Sequence, residues 1–142
     1  LGSTHEHADV KVYIENVPVD FSQRKYQLTT SYIHFEEGIG DVIHTHATGL
    51  AIGHLLNSVG MKHSNGCMAF EGKLYCNENN KKWKFYSNGK LNDKFTSYVI
   101  EDLDNYLISY GSESGAEIQQ QLDSITNLAP KYSPGMYIEI AD

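Results

Sequence analysis

Hydrophobic and polar positions alternate with a period of two in several short runs of this chain, the pattern of strands that bury one face. The pattern is best developed in residues 32–46, where Gly38 and Gly40 separate two alternating runs. Glycine allows the positive φ angles of tight turns, so we expect a β-hairpin with a turn of about three residues between Glu37 and Asp41.

That turn would determine which residues of the two strands lie opposite each other. The expected pairs are Phe35 with Ile43, His34 with His44, Glu36 with Val42, and Tyr32 with His46. Because facing residues share a face, Ile33, Phe35 and Ile43 should point to one side. The other side should carry His34, Glu36, His44 and His46.

Other runs predict the remaining elements. Strands are expected within 5–14, 17–21, 67–70, 73–76, 83–91, 98–100, 106–110 and 136–140, and Asn88-Gly89 predicts a type I′ turn within 83–91. One helical pattern runs from Thr48, its expected N-cap, to Gly60, its expected stop. A second follows the capping box of Ser114 and Glu117 and continues to Leu128, with Pro130 and Pro134 ending it.

Strands outnumber helices and the first helix crosses between strands, so the sequence predicts an α+β fold. We expect a mixed or antiparallel sheet of several hairpins packed on a helix, in a β-grasp-like arrangement, with a C-terminal helix. The chain should form one domain over residues 1–128, followed by a C-terminal tail over 129–142. The strand at 136–140 would pair at a sheet edge, pair with a second copy in a homodimer, or belong to a mobile tail.

Composition fits a folded protein and excludes one class of partner. Of the 142 residues, 40% are hydrophobic, and no apolar run approaches the length of a membrane span. The net charge of −7 argues against nucleic acid, because a phosphate-binding surface needs clustered lysine and arginine. The basic cluster of Lys81, Lys82 and Lys84 is interpreted as a solvated strand edge.

The two cysteines predict a disulfide. Counting outward from a two-residue turn at Glu71 and Gly72 brings Cys67 opposite Cys76, where cross-strand side chains are close enough to bond. A structural disulfide implies an oxidising compartment, so we expect an extracytoplasmic location. The alternative is a redox-active pair, although the spacing is not that of a C-x-x-C motif.

The histidines predict a metal site. Two His-x-His pairs, at 5/7 and 44/46, each place both rings on one side of a strand, and His34 should lie opposite His44. Neutral imidazole is the commonest ligand of zinc and copper, and Glu36 and Asp9 offer oxygen atoms. Mixed imidazole and carboxylate ligands suit Cu(II) or Zn(II) better than Cu(I).

Four histidines need separate comment. Spacing does not decide whether His5 and His7 join the hairpin or hang free as a frayed segment. His54 should be solvated on the first helix, and His63 should lie in a loop as a separate weak site or beside the ligands.

A family resemblance supports the same conclusion. The segments that carry it are His5-Glu6-His7-Ala8-Asp9, Asp41-Val42-Ile43-His44-Thr45-His46-Ala47-Thr48-Gly49 and Phe85-Tyr86-Ser87-Asn88-Gly89-Lys90. Together they resemble a family of small exported histidine-rich domains found in ammonia-oxidising archaea, over about residues 5–110. The resemblance implies copper handling, and some members of the family carry a disulfide-isomerase-like label. Glu36 stands where the family often has a second histidine, which implies a harder, less copper-selective site.

The sequence therefore predicts an extracytoplasmic protein that binds copper or zinc as a carrier, chaperone or buffer. His34, His44 and His46 would hold the ion, with Glu36 beside them and His5 and His7 as a mobile arm. Its partners would be the metal ion and an exported metalloprotein that receives it. The alternatives are a thiol–disulfide oxidoreductase or isomerase using Cys67 and Cys76, a zinc site that activates water, and an interaction module with incidental histidines.

Overall fold

The computed structural model describes residues 3–132, and its fold is α+β, as predicted. The strands are β1 (Ser3–Ile14), β2 (Val17–Pro18), β3 (Ile33–Glu36), β4 (Ile39–Ala47), β5 (Lys62–Ser64), β6 (Cys67–Phe70), β7 (Lys73–Cys76), β8 (Lys82–Ser87), β9 (Lys90–Leu91) and β10 (Asn105–Gly111). The α-helices are α1 (Ile52–Ser58), α2 (Gly115–Asp123) and α3 (Ala129–Tyr132). Within this described range, no helix has both the length and the apolar character that crossing a membrane requires.

Two sheets organise these strands. The larger has seven strands in the order β3-β4-β1-β10-β8-β9, with β2 paired to β1, and the smaller has the order β5-β6-β7. The long strand β1 lies between β4, which is antiparallel to it, and β10, which is parallel to it. The sheet is therefore mixed, and β1 joins the β3–β4 hairpin to the strands that follow β10 in the sheet.

The two faces of the larger sheet have different roles. On one face, Phe35 and Ile43 are fully buried in a core that also contains Ile52, Leu55 and Leu56 of α1. Burying such side chains is the main favourable contribution to folding. The opposite face of β1 contacts α3. The hairpin histidines lie on this second face.

The hairpin differs from its predicted pairing near the turn. Glu36 pairs with Ile39, so the prediction that it faces Val42 is wrong. Glu37 and Gly38 form a two-residue turn with φ angles of 62° and 71°. Both central residues of a type I′ turn need positive φ, which explains the tighter turn. An irregularity between His34 and Glu36 restores the register, and His34 faces His44 as predicted.

Gly40 has a different role from the predicted one. It lies within β4, and a Cβ atom at this position would overlap the backbone of Phe21 and Ser22. The glycine therefore permits close approach of two backbone segments and does not form the turn.

Both long helices are shorter than predicted. The first begins at Ile52 with Ala51 as its N-cap instead of Thr48, and Gly60 follows it with a φ of +82°. The second has the predicted capping box, in which the Ser114 Oγ accepts a hydrogen bond from the Glu117 N–H. It ends at Asp123, because Thr126, Leu128 and Ala129 donate hydrogen bonds to a buried carboxylate on β1 instead of continuing the helix.

Two other predictions differ from the structure. Within residues 98–100, Val99 makes an isolated bridge with Ala51. The prediction of a strand there is therefore wrong. His63 lies in β5, where a loop was expected. The predicted strand at 136–140 falls outside the described residues, and the division of the chain after residue 128 stays a prediction.

Candidate metal centre

The metal-site prediction concerns one face of three neighbouring strands. His5 and His7 lie on β1, His44 and His46 on β4, and His34 on β3. His7 faces His44 in the β1–β4 pair, and His34 faces the same His44 in the β3–β4 pair. We call these five residues and Glu36 the histidine cluster.

The rings of the cluster are in contact. The centroids of His7 and His44 lie 4.6 Å apart, those of His5 and His46 4.5 Å, and those of His34 and His46 5.0 Å. The prediction that His5 and His7 form a mobile arm is wrong, because β1 extends to include both and pairs with β4. The alternating pattern around His5 and His7 had correctly indicated a strand there.

Three members of the cluster could hold a metal ion. One ligand atom from each of His34, Glu36 and His46 lies within 4.8 Å of the other two. His44 is adjacent, with its Nδ1 atom 3.7 Å from the Glu36 Oε1 atom. Two imidazoles and one carboxylate form a ligand set that zinc and other divalent transition metals use in proteins.

The hydrogen bonds of His34 also favour a cation. The His34 Nδ1 atom lies 2.8 Å from the Thr30 carbonyl oxygen. A carbonyl oxygen only accepts, so Nδ1 carries the hydrogen and Nε2 of the neutral ring carries a lone pair. That Nε2 atom lies 2.9 Å from the Glu36 Oε1 atom. This contact is favourable when a proton or a metal ion lies between the two atoms, and a metal-bound histidine characteristically donates its other N–H to a carbonyl in this way.

Burial favours the neutral form of three of the imidazoles, those of His44, His7 and His46. Burial lowers the pKa of His44 to about 4; the Glu36 carboxylate opposes this shift, and the other imidazoles add to it. Burial likewise lowers the pKa values of His7 and His46. Metal binding needs neutral imidazole, so the cluster does not have to lose protons from these three rings before it binds an ion.

Glu36, in contrast to these neutral rings, is held in its charged form. Burial alone would raise the pKa of its carboxyl group, but the hydrogen bond with His34 and the neighbouring imidazoles outweigh burial, and the pKa lies below its usual value. The cluster therefore combines one carboxylate charge with neutral nitrogen donors. Such a combination of charge and donors could hold a cation.

Asp9 does not join the cluster, although the sequence suggested it as an oxygen ligand. Its buried carboxylate accepts hydrogen bonds from the Thr126 hydroxyl and from the backbone N–H groups of Leu128 and Ala129. Sequence reasoning also missed Tyr132, whose ring centroid lies 5.1 Å from that of His44. No local pattern connects residue 132 with residue 44, so the sequence held no signal for this contact.

The other histidines lie elsewhere. His54 is exposed on α1, as predicted, and its Nδ1 atom accepts a hydrogen bond from the Ala51 N–H. His63 lies on β5 of the smaller sheet, with its ring against Phe95.

The predicted disulfide is present in the smaller sheet. Cys67 and Cys76 are opposite residues of β6 and β7 and are bonded to each other. The hydroxyl of Tyr110 on β10 donates to the Cys76 carbonyl oxygen at 2.8 Å, and the Trp83 indole donates to the Tyr75 carbonyl oxygen. The disulfide therefore joins the two strands of a hairpin that is hydrogen-bonded to residues of the larger sheet. It is consistent with an oxidising compartment.

Comparisons of the chain with protein-family models, with curated proteins and with solved structures found no match. The arrangement of side chains therefore carries the functional argument.

Acid is expected to destabilise the metal-free protein. The pKa of His44 falls from 6.5 to about 4 on folding, so the unfolded chain binds more protons than the folded chain between these values. Stability is therefore full above about pH 6.5 and is lost as the pH falls toward 4, by up to roughly 3 kcal/mol from this residue. Urea unfolding with a metal chelator present, repeated from pH 7.5 to 4.5, measures the loss.

The matched variant for this test is His44→Gln, which has no titrating ring at that position. The difference between the unfolding free energies of wild type and variant should shrink as the pH falls. A difference independent of pH would contradict the assigned role of His44.

Proposed function

We propose that this protein is an extracytoplasmic binding protein for Cu(II) or Zn(II) that acts as a carrier, chaperone or buffer. His34, Glu36 and His46 hold the ion, and His44, His7 and His5 surround it. The observation that carries the proposal is the group of His34, Glu36 and His46, whose ligand atoms lie within 4.8 Å of one another.

The donor types support these two metals. Imidazole nitrogen suits zinc, copper, iron and nickel, whereas sites for calcium or magnesium are built from oxygen. The single carboxylate makes the set too hard for a dedicated Cu(I) site, which uses cysteine and methionine sulfur. Both cysteines are held in the disulfide, so they do not supply thiolate.

Protein ligands at three positions leave further coordination positions for other donors. A carrier can use such positions to pass the ion to the ligands of a recipient protein. We therefore propose that an exported metalloprotein receives the ion. Membership in the archaeal family of exported histidine-rich domains is likewise our proposal, supported by the sequence segments that share its pattern.

The test is metal titration of tag-free protein, with each ion added against a competing chelator of known affinity. We expect one ion to bind with sub-micromolar affinity. The electron paramagnetic resonance spectrum of the Cu(II) form should show at least two nitrogen ligands. No binding of either ion at micromolar concentration would contradict the proposal and favour an interaction module.

A further inference from the structure

The C-terminal part of the described chain is held on the same strand that carries His5 and His7. Asp9 of β1 is only 3% exposed. It accepts hydrogen bonds from the Thr126 hydroxyl at 2.8 Å, the Leu128 N–H at 2.9 Å and the Ala129 N–H at 3.2 Å. Hydrogen bonds to an ionised acceptor are about twice as strong as neutral ones. The Asp9 carboxylate therefore holds the start of α3 against β1.

The last residue of α3 lies against the histidine cluster. The ring centroid of Tyr132 is 5.1 Å from that of His44 and 5.8 Å from that of His7. Both imidazoles are buried, with 4% and 5% of their surface exposed, whereas His5 on the same strand is exposed. Tyr132 therefore covers one end of the cluster and leaves the His5 end open to solvent.

Asp9 lies on the same face of β1 as His7, the ring on this strand that Tyr132 covers. Residues 5, 7 and 9 lie on one face of β1, because side chains alternate along a strand. Four-residue α3 begins beside Asp9 and ends at Tyr132, over His7. The position of the helix start therefore determines where the tyrosine ring lies.

We propose that Asp9 is a positioning residue of the metal site. By holding residues 126–129 it places Tyr132 over His7 and His44, so that the ion enters and leaves from the side of His5 and His46. This inference rests on the proposed function. Its consequence is that the ion has one route of release, since release toward the covered end would require the contacts of Asp9 to open first.

The test uses two variants that remove the cover at different points. Asp9→Asn keeps the shape of the side chain but replaces one acceptor oxygen by an N–H₂ group, which cannot accept from the segment. Tyr132→Ala leaves the contacts of Asp9 intact and removes only the ring. Asp41→Asn is the matched control, because it also removes one carboxylate from the sheet, and its ion pair is with Lys11.

Two measurements are made on each protein. The first is the rate at which diethyl pyrocarbonate modifies each histidine of the metal-free protein, followed by peptide mass spectrometry. The second is the rate at which bound Cu(II) or Zn(II) passes to excess chelator. We expect both variants to show about tenfold or faster modification of His7 and His44 and a similar increase in metal release, since the opened form becomes more populated. Modification of His5 and all rates of Asp41→Asn should match wild type.

The results separate the two proposals. A wild-type protein that binds neither ion contradicts the proposed function before any variant is compared. Tight binding by wild type with unchanged release from both variants contradicts only the role of Asp9. If Asp9→Asn does not fold, Tyr132→Ala decides the outcome, because a melting temperature near that of wild type with faster release is not expected of a residue that only stabilises the fold.

Discussion

Replacing His34 and His46 together by alanine is expected to weaken the binding of Cu(II) or Zn(II) by at least about a hundredfold. The two substitutions remove both nitrogen donors of the three-residue group and leave Glu36 as its only member. The fold should persist, because both side chains lie on the face of the sheet opposite the core that contains Phe35 and Ile43. Chelator competition measures the affinity, and circular dichroism tests the fold.

The matched control is the double variant His54→Ala and His63→Ala. It also removes two imidazoles, but from α1 and from the smaller sheet, where both are exposed. Its affinity should stay within about threefold of wild type, the size of effect expected from distant surface changes. Equal loss of affinity in both double variants would show that the ion binds to histidines in general and not at the predicted group.

Removing the disulfide is expected to lower the free energy of unfolding by roughly 2–3 kcal/mol, because the Cys67–Cys76 bond closes a short loop in the unfolded chain. The variant is Cys67→Ser with Cys76→Ser, and urea unfolding measures the loss. Metal affinity should not change, since the bond lies in the β5–β7 sheet and the histidine cluster lies on β1, β3 and β4.

Reduction of the wild type supplies the control for that variant. A thiol reductant should destabilise wild type to about the level of the variant and leave the variant unchanged. A wild-type protein that catalyses insulin reduction would instead support thiol–disulfide exchange, the alternative function considered for these cysteines. In that case the bond would be the active group and not a structural link.

Much of the fold follows from local sequence rules. The Glu71–Gly72 and Asn88–Gly89 turns have the positive φ angles that their residues favour, and the strands on either side of each pair as expected. The capping box at Ser114 starts α2. In each case the decisive residues are within a few positions of one another, so the sequence contains the information.

The limits of helices and turns were less predictable. The alternating pattern is compatible with the turn at Glu37 and Gly38 and with the irregularity after His34. It does not show where one strand contains an extra residue. The second helix ends early because Asp9, far away in sequence, accepts hydrogen bonds from the residues that would have continued it. Tertiary contacts here override a helical pattern that is locally sound.

The sequence by itself determined that imidazoles and Glu36 share one face of a hairpin and that the two cysteines face each other, because side chains alternate along strands and short turns set the register. Only the tertiary structure decided that β1 lies between β4 and β10, which adds His5 and His7 to the cluster, and that Asp9 and Tyr132 hold and cover one end of it. The physical reason is that pairing between distant segments depends on which arrangement buries the apolar faces together and satisfies the buried polar groups. No run of neighbouring residues encodes that choice.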